Sequence, residues 1–314
     1  MKAIGIDLGG TNIKAAIVDQ DKGIVEQTSI PTEANAGKEI LLDRIAELAK
    51  NLASKTEVIG IGLGLPGMVA LDQNTVMNPP NLPGWITVKA GDEISKRAGL
   101  QCRIENDANI AALGSMYFGV GRQFQSFIMV TLGTGVGGGI IYNRRLFKGT
   151  KGMAGEVGHV IINYDGPRSN SVTPGTAEAY LGQRFISNYA RRLIMQNVEN
   201  ELYKEFGDNL KELEPVDIFR SAKEGNELAI KVLKESGKQL GYAIINYVHI
   251  LDIRKIVLSG GVSKSGAFLI DPACDIVDKY MMEPFKEDFE IVQEDLGNNS
   301  ALLGAAGLAF DSFS

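Results

Sequence analysis

Three glycine-rich loops constrain the fold of this chain more than any other feature, because each directly follows an apolar run typical of a β-strand. They lie after Asp7, at residues 133–139 and at residues 259–261. Glycine permits positive φ angles and lets backbone N–H groups approach a phosphate with no side chain in the way. One such loop is equally consistent with a tight hairpin turn, but three together favour a nucleotide-binding protein. Neither a Walker motif nor a dinucleotide fingerprint opens a helix at the first loop.

The alternation of strand-like and helix-like patterns predicts an α/β protein. The predicted strands are 2–8, 13–18, 58–65, 102–107 and 255–258, and the predicted helices are 37–53, 108–118, 226–251 and 302–310. The segment 79–85, PPNLPGW, predicts an irregular loop. A length of 314 residues allows two domains. We expect a smaller N-terminal domain of residues 1–118 with a returning helix at about 298–314, and a larger domain of residues 119–297.

Composition and charge exclude several classes of protein. The net charge of −6 argues against a partner nucleic acid, which is gripped by a basic surface. The chain has two cysteines, Cys102 and Cys274, so a disulfide framework is excluded. The uncharged run 123–143 is long enough to span a membrane, but its glycines and threonines are typical of a loop. Because the first residues lack a signal-peptide pattern, we expect a cytoplasmic protein without a membrane partner.

Charged side chains beside the first glycine-rich loop suit a nucleotide with its metal ion. Asp7 can hold Mg²⁺, usually through water, and Lys14 adds positive charge to the same region. The alternative interpretation is a hairpin turn with a surface aspartate.

A second candidate site lies at residues 105–109, ENDAN, where a predicted strand is followed by a predicted helix. Asp107 has two interpretations here. Its carboxylate can cap the helix by accepting a backbone N–H. It can also serve as a general base at the carboxyl end of a strand, where α/β proteins bind ligands. A hydroxyl that attacks a phosphoryl group needs such a base.

The two histidines of the chain differ in their surroundings. Glu156 and His159 are three residues apart and lie on one side of a turn if the segment is helical. They are a possible pair of metal ligands, and the alternative is that His159 is a structural histidine with a backbone partner. His249 lies between two apolar residues and is predicted to be a core or interface histidine.

Several motifs are weak singly and specific when they occur together in order. They are DLGGTxxK at 7–14, GxPG at 64–67, NLPGW at 81–85, ENDAN at 105–109, LGTGxGGG at 132–139 and GExGH at 155–159. With these motifs the chain resembles the ROK family (repressors, open reading frames and sugar kinases), especially its bacterial glucokinases. The resemblance extends from residue 3 to the segment 303–307.

The resemblance implies an actin-like, ribonuclease-H-like α/β fold of two domains, with ATP and a sugar in the interdomain cleft. It implies that Asp107 is the base for the sugar hydroxyl. The residues that it implies for sugar binding are Gly67, Asn81, Asn106, Asp107, Glu156, His159 and Glu178. Those that it implies for ATP and its Mg²⁺ are Asp7, Gly9, Gly10, Thr11, Lys14, Thr134, Gly135, Gly260 and Gly261. It also implies a homodimer.

One segment departs from the family pattern. After GExGH the family carries three cysteines that bind zinc together with the histidine, whereas this chain reads SNSVTPGTAE at 169–178 and keeps only the glutamate, Glu178. Neutral hydroxyls are poor replacements for thiolates as zinc ligands. We therefore expect no zinc, with His159 oriented by a hydrogen bond, for which the candidates are Ser169, Ser171 and Thr176.

The resemblance favours an ATP-dependent kinase that phosphorylates the 6-hydroxyl of a hexose, with D-glucose, the hexose of glycolysis, as the leading substrate. N-acetylmannosamine, other N-acetylhexosamines, fructose and allose stay open as substrates, and polyphosphate stays open as donor.

A sugar-responsive regulator of the same family is a second alternative; such regulators carry a winged helix-turn-helix ahead of this core, and we expect none here. A nucleotide switch like actin is the third, and it requires neither Asp107 with Asn106 nor the set Glu156, His159 and Glu178.

Overall fold

The computed structural model describes residues 1–170 and 172–314, which form two compact units. The first unit comprises Met1–Ser126, Gly139–Gly155 and Glu294–Ser314, and the second comprises Phe127–Gly138 and Glu156–Gln293. The domain boundaries expected from the sequence stay a prediction. The two compact units differ from them mainly in the segment 139–155, which was expected in the larger domain and belongs to the first unit.

Strands and helices alternate along most of the chain. The strands are β1 (Lys2–Leu8), β2 (Asn12–Asp19), β3 (Gly23–Pro31), β4 (Ile61–Leu65), β5 (Met68–Val69), β6 (Val76–Met77), β7 (Thr87–Val88), β8 (Cys102–Asn106), β9 (Phe127–Leu132), β10 (Val136–Tyr142), β11 (Arg145–Leu146), β12 (Lys255–Ser259) and β13 (Glu290–Gln293). The helices are α1 (Lys38–Ala53), α2 (Ala90–Ala98), α3 (Asp107–Phe118), α4 (Glu178–Leu181), α5 (Gln183–Met195), α6 (Glu201–Phe206), α7 (Pro215–Lys223), α8 (Glu227–Leu251), α9 (Ala267–Tyr280) and α10 (Ser300–Phe313).

The main sheet of the first unit has the strand order β3-β2-β1-β4-β8. β1 and β2 form an antiparallel hairpin, whereas β4 is parallel to both β1 and β8. The register pairs Asp7 with Gly64 and Gly64 with Glu105. The carboxyl ends of three parallel strands therefore meet at one edge of the sheet, and two of them carry a carboxylate there.

Both faces of this sheet are covered. One face packs against α1 and α2 in a large apolar cluster, and the other packs against α10. The backbone of α10 comes very close, since a Cβ on Gly5 would lie 2.1 Å from the Leu302 carbonyl oxygen, and one on Gly62 would lie 1.7 Å from that of Ala305. Glycine at these positions lets the last helix pack directly on the sheet.

In the second unit β9 lies between β10 and β12, and β13 follows β12. β12 is parallel to β9 and to β13, and its last residue, Ser259, is in register with Thr131. The loops that follow β9 and β12 therefore leave the sheet at the same edge. The helices α5, α7, α8 and α9 pack beside one another in this unit. The chain passes from the second unit into the first within β10, and β11 pairs with the end of that strand.

Most elements predicted from the sequence are present with small shifts of their ends. The predicted strand 58–65 begins later, at Ile61, because the residues before it make only isolated backbone hydrogen bonds to β1. The sequence analysis did not predict β3, α2, α9, β13 or the small β5–β7 sheet. β3 is an edge strand with no fully buried residue, and the three strands of the small sheet have two residues each. No helix in the described part of the chain combines the length and apolarity needed to cross a membrane.

Candidate functional site

A cavity of about 180 Å³ in the first unit brings together five residues that the sequence analysis singled out. They are Asp7, Gly9, Gly10, Asn81 and Asp107, and the rest of the wall is formed by Leu8, Leu65, Pro66, Pro80 and Leu82. The cavity thus has an apolar side and a side that carries two carboxylates and a glycine turn. Such a mixed lining is typical of a small-molecule site.

Asp107 is the first residue of α3, directly after β8. The helix cap is provided by Asn106, whose Oδ1 accepts a hydrogen bond from the Ala108 N–H at 2.9 Å; Oδ1 of Asp107 accepts from the same N–H at 2.8 Å. Asp107 therefore accepts a hydrogen bond at the start of the helix and also lines the cavity, so the capping interpretation does not exclude the general-base interpretation. Burial raises the pKa of Asp107, although the hydrogen bond from Ala108 acts in the opposite direction.

Asp7 is the second carboxylate of the cavity. Burial raises its pKa; Lys14, opposite it in the β1–β2 hairpin, lowers that pKa, and the charge of Asp107 raises it. Lys14 itself does not line the cavity. Carboxylate oxygens are the hard donors that Mg²⁺ prefers. Among the described residues no group of three His, Cys, Asp or Glu side chains could hold a metal ion, so Mg²⁺ at Asp7 would need oxygens from phosphates and water.

The first glycine loop is a hydrogen-bonded turn between β1 and β2. The Gly9 N–H donates to the Asn12 carbonyl oxygen at 3.0 Å, and Thr32 donates from its hydroxyl to Gly9 and from its N–H to Thr11. A Cβ added to Gly10 would meet nothing within 4 Å. The turn therefore leaves open space at Gly10, where a ligand could approach the backbone.

Gly67 and Asn81 lie on neighbouring loops of the first unit. The Asn106 side-chain amide donates to the Gly67 carbonyl oxygen at 3.0 Å. Gly67 has a φ angle of 109°, and a Cβ there would lie 2.8 Å from the Pro79 Cα. Asn81 also has a positive φ angle, 63°. The irregular loop predicted over 79–85 is thus a tight and specific structure, tied through Gly67 to the residue beside Asp107.

Sequence reasoning missed a buried group beneath Asp107. The Glu105 side chain is fully buried, and its carboxylate accepts four hydrogen bonds. The donors are the Gln73 amide at 3.2 Å, the Asn106 backbone N–H at 2.9 Å, the Asn109 amide at 3.0 Å and the Lys148 ammonium. Glu105 is part of the ENDAN motif, but nothing local in the sequence indicates Lys148 as its partner.

In the second unit, Thr134 and Gly135 form the turn between β9 and β10, and Glu178 packs against them. The Glu178 side chain lies at the start of α4, is largely buried, and accepts a hydrogen bond from the Val136 N–H at 3.2 Å through Oε2. A Cβ on Gly135 would lie 2.5 Å from that same oxygen. Glycine at position 135 therefore leaves room for the Glu178 carboxylate beside the turn.

Gly260 and Gly261 follow β12 and lie beside the same turn. Gly260 has a φ angle of 91°, and a Cβ there would lie 2.3 Å from the Leu132 carbonyl oxygen at the end of β9. A Cβ on Gly261 would meet nothing within 4 Å. Two of the three glycine-rich loops thus lie next to each other, as expected from neighbouring parallel strands.

Glu156 directly precedes a short 3-10 turn, Val157–His159, and His159 is its last residue. The His159 Nε2 and Glu156 Oε2 atoms are 3.8 Å apart, and the side chains are 49% and 60% exposed. The turn is anchored by the buried Tyr247 hydroxyl, which donates to the Val157 carbonyl oxygen at 2.8 Å. His249 is half-buried on α8, where its Nε2 accepts from the Met282 N–H at 3.3 Å.

The segment that follows His159 contains no cysteine, and backbone contacts set its shape. It is held by backbone hydrogen bonds, among them Ala177 N–H to Val160 O at 2.9 Å and Gly175 N–H to Pro167 O at 2.7 Å. Thr176 is fully buried, and its hydroxyl has no hydrogen-bond partner among the described residues, so it is not the partner of His159. Ser171 lies outside the described residues. The absence of zinc stays a prediction.

The predicted residues therefore fall into two groups. The first unit carries Asp7, Gly9, Gly10, Thr11, Lys14, Gly67, Asn81, Asn106 and Asp107; the second carries Thr134, Gly135, Glu156, His159, Glu178, Gly260 and Gly261. In the first unit, Asp7 and Asp107 follow or end strands of one sheet, and Lys14 lies opposite Asp7 in the hairpin. In the second unit, the turn Val157–His159 packs against Val136, the residue whose N–H donates to Glu178.

Comparison with protein families and with individual proteins gives a consistent result. The model of the ROK family matches residues 3–312. A glucokinase from Thermotoga maritima is 32% identical over 308 residues, which are 98% of this chain and 97% of that protein. A glucokinase from Halalkalibacterium halodurans is 34% identical over 311 residues, 97% of this chain and 94% of that protein. A xylose repressor from Caldicellulosiruptor bescii is 26% identical over 310 residues, 97% of this chain and 77% of the repressor.

Solved structures agree with these relatives. A ROK family glucokinase from Streptomyces griseus, in complex with glucose and AMPPNP, has a TM-score of 0.81 at 30% identity and covers 99% of this chain and 100% of its own. A ROK hexokinase from Thermus thermophilus has a TM-score of 0.83 at 26% identity and covers 99% of both chains. The predicted actin-like two-domain fold is thereby confirmed.

Proposed function

The chain belongs to the ROK family, and we propose that it is an ATP-dependent hexose kinase that transfers the γ-phosphate of ATP to the 6-hydroxyl of D-glucose. Glucokinases at 32% and 34% identity over nearly the whole chain support a sugar kinase. The glucose and AMPPNP bound to the Streptomyces griseus relative support glucose and ATP as the two substrates.

The observation that carries this proposal is the position of the Asp107 carboxylate. It begins a helix at the carboxyl end of a parallel strand, and it lines the same cavity as Asp7, Gly9 and Gly10. A kinase needs one carboxylate that orients the attacking hydroxyl and accepts its proton. A raised pKa makes Asp107 a stronger base while it is ionised, and general-base catalysis contributes roughly 10²–10⁴-fold to the rate.

On the ATP side, we assign the turn at Gly9, Gly10 and Thr11 to the phosphates, because a ligand can approach the backbone at Gly10. Asp7 would hold Mg²⁺ through water, and bound Mg²⁺ would neutralise phosphate charge during transfer. In the second unit, we assign Thr134 and Gly135 to phosphate as well, and Gly260 with Gly261 to the nucleotide.

For the sugar, we assign Asn106, Gly67 and Asn81 in the first unit. The Asn106 amide is fixed between the Ala108 N–H and the Gly67 carbonyl, so its orientation is set before a sugar binds. We assign Glu156, His159 and Glu178 in the second unit to hydroxyls around the anomeric end. Correct positioning of the two substrates can supply roughly 7–11 kcal/mol of the barrier.

A panel of sugars in an ATP-consumption assay tests the proposal. We expect the highest kcat/KM for D-glucose and a product phosphorylated on the 6-hydroxyl, compared with N-acetylmannosamine, N-acetylglucosamine, fructose and allose. Replacing ATP by polyphosphate tests the donor. A higher kcat/KM for another sugar would change the assigned substrate, and ATP turnover that is independent of any sugar would contradict the kinase assignment and favour a nucleotide switch.

A second candidate function is a sugar-responsive regulator, because a xylose repressor matches 97% of this chain at 26% identity. A regulator needs sugar binding without phosphate transfer. Glucose binding measured by calorimetry, together with no sugar phosphate in the assay above, would favour it. The negative net charge of −6 weighs against contact of this part of the protein with DNA.

A further inference from the structure

A chain of side-chain hydrogen bonds in the second unit ends on the Glu178 carboxylate. The Arg184 Nη2 donates to Asn170 Oδ1 at 2.7 Å, and Asn170 Nδ2 donates to Glu178 Oε1 in a long hydrogen bond of 3.4 Å. The other carboxylate oxygen, Oε2, accepts from the Val136 N–H. Each oxygen of Glu178 thereby accepts one hydrogen bond from a different part of the chain.

The direction of this chain follows from the chemistry of its members. A guanidinium group has only donors, so Arg184 must face the carbonyl oxygen of the Asn170 amide. The amide NH₂ group is then turned toward Glu178, where a carboxylate can only accept. An asparagine at position 170 matches both neighbours, whereas an aspartate would match Arg184 and repel Glu178.

The segment that carries Asn170 has no cysteine between residues 160 and 178. Arg184 lies on α5, a helix with regular packing against α7 and α8. The hydrogen bonds therefore connect the irregular segment, through Asn170, both to Arg184 on the packed helix α5 and to Glu178. Glu178 is 7% exposed, and an ionised carboxylate at that burial needs hydrogen-bond donors for its remaining lone pairs. Sugar hydroxyls are such donors.

We propose that Asn170 is a positioning residue for sugar binding, which orients the Glu178 carboxylate toward a sugar hydroxyl, and that Arg184 fixes the orientation of the Asn170 amide. This proposal rests on the proposed function, since it takes Glu178 as a ligand of the sugar.

The test compares four variants with the wild type in sugar and ATP titrations of the kinase reaction. Asn170→Ala removes the donor to Glu178 and is expected to raise the KM for glucose by roughly tenfold, the effect of one hydrogen bond to a charged group. Asn170→Asp keeps the contact with Arg184, so its KM for glucose should rise more than that of Asn170→Ala. Arg184→Met should give a smaller increase. In all three, the KM for ATP should stay within about twofold of the wild type, because the hydrogen bond from the Val136 N–H to Glu178 Oε2 at the Thr134–Gly135 turn is retained.

Arg192→Met is the matched control. Arg192 lies on the same helix and its guanidinium packs over Tyr189; within the described part of the chain no hydrogen bond joins it to Asn170 or Glu178. The Arg192→Met variant should leave both KM values unchanged.

An Asn170→Asp variant with wild-type KM for glucose would overturn the positioning role, as would equal increases in the KM for glucose and the KM for ATP. A wild-type protein that phosphorylates no sugar would instead refute the proposed function, so the two failures are distinguishable.

Discussion

Lys148 forms a salt bridge with Glu105, and the two side chains are 9% and 0% exposed. The ammonium group also donates to the Ala70 carbonyl oxygen at 3.1 Å. Because Asn106 and Asp107 directly follow Glu105, the pair fixes the end of β8 and the start of α3. The backbone that presents the proposed base is thus held by a buried charge pair from a distant part of the chain.

Lys148→Met is expected to destabilise the protein strongly. It leaves the Glu105 carboxylate buried without its positive partner, and breaking a buried pair on one side costs about 3–5 kcal/mol. Urea unfolding should show this loss, together with a lower kcat because the start of α3 is less well fixed.

The double variant Glu105→Gln/Lys148→Met tests the cause. A neutral amide at position 105 needs no positive partner and keeps an acceptor for Asn109, so the double variant should be more stable than Lys148→Met alone. Lys151→Met changes an exposed lysine nearby and should leave stability unaffected. A single variant as stable as the wild type would show that the pair does not hold α3.

Asp107→Asn is expected to lower kcat by roughly 10²–10⁴-fold, the usual contribution of a general base. The amide is isosteric and can still accept from the Ala108 N–H, so the KM for the sugar should change little. Asp92→Asn, an exposed aspartate at the start of α2, is the matched control and should leave kcat unchanged. Near-normal turnover of Asp107→Asn would remove Asp107 from its proposed role.

The local part of the site could be predicted from the sequence. The hairpin that carries Asp7 and the strand-to-helix junction at Asp107 are both encoded in short motifs, DLGGT and ENDAN, whose strand and helix patterns are clear. The edge of the sheet at which they meet follows from parallel pairing, because carboxyl ends of adjacent parallel strands lie together.

The long-range contacts could not be predicted. Lys148 is separated from Glu105 by 43 residues, and its segment has no periodicity that would place it under α3. The contact between Asn170 and Glu178 depends on the path of an irregular loop that is set by backbone hydrogen bonds. Sequence patterns indicate burial and local geometry. The pairs Lys148–Glu105 and Asn170–Glu178 depend instead on how segments that are distant or irregular pack together.

The rate should fall in acid as Asp107 takes up a proton. The base acts in its ionised form, and burial raises its pKa, so kcat/KM should decline at a higher pH than an ordinary aspartate would cause. A group with a raised pKa binds more protons in the folded state, so its own protonation favours folding as the pH falls through that pKa. Thermal unfolding at each pH is the control, and an acid limb at or below the range of an ordinary aspartate would contradict the assignment.

Gly10→Ala is expected to raise the KM for ATP by roughly tenfold, which corresponds to about 1.4 kcal/mol. A Cβ at this position meets no protein atom within 4 Å, and the φ angle of Gly10 is not positive, so the fold itself should accept alanine. An effect on ATP would then come from a phosphate that closely approaches the backbone. The KM for glucose and the thermal midpoint should be unchanged, and an unchanged KM for ATP would mean that phosphate does not approach Gly10.

Removal of zinc is expected to leave the enzyme intact. His159 has Glu156 as a carboxylate neighbour at 3.8 Å, the segment after it contains hydroxyls in place of thiolates, and its shape is held by backbone hydrogen bonds such as Ala177 N–H to Val160 O. Protein dialysed against a chelator and returned to Mg²⁺ should therefore keep its kcat, its KM for glucose and its thermal midpoint. Elemental analysis should find well below one zinc per chain. Stoichiometric zinc that is lost together with activity would mean that ligands other than cysteine hold a metal here.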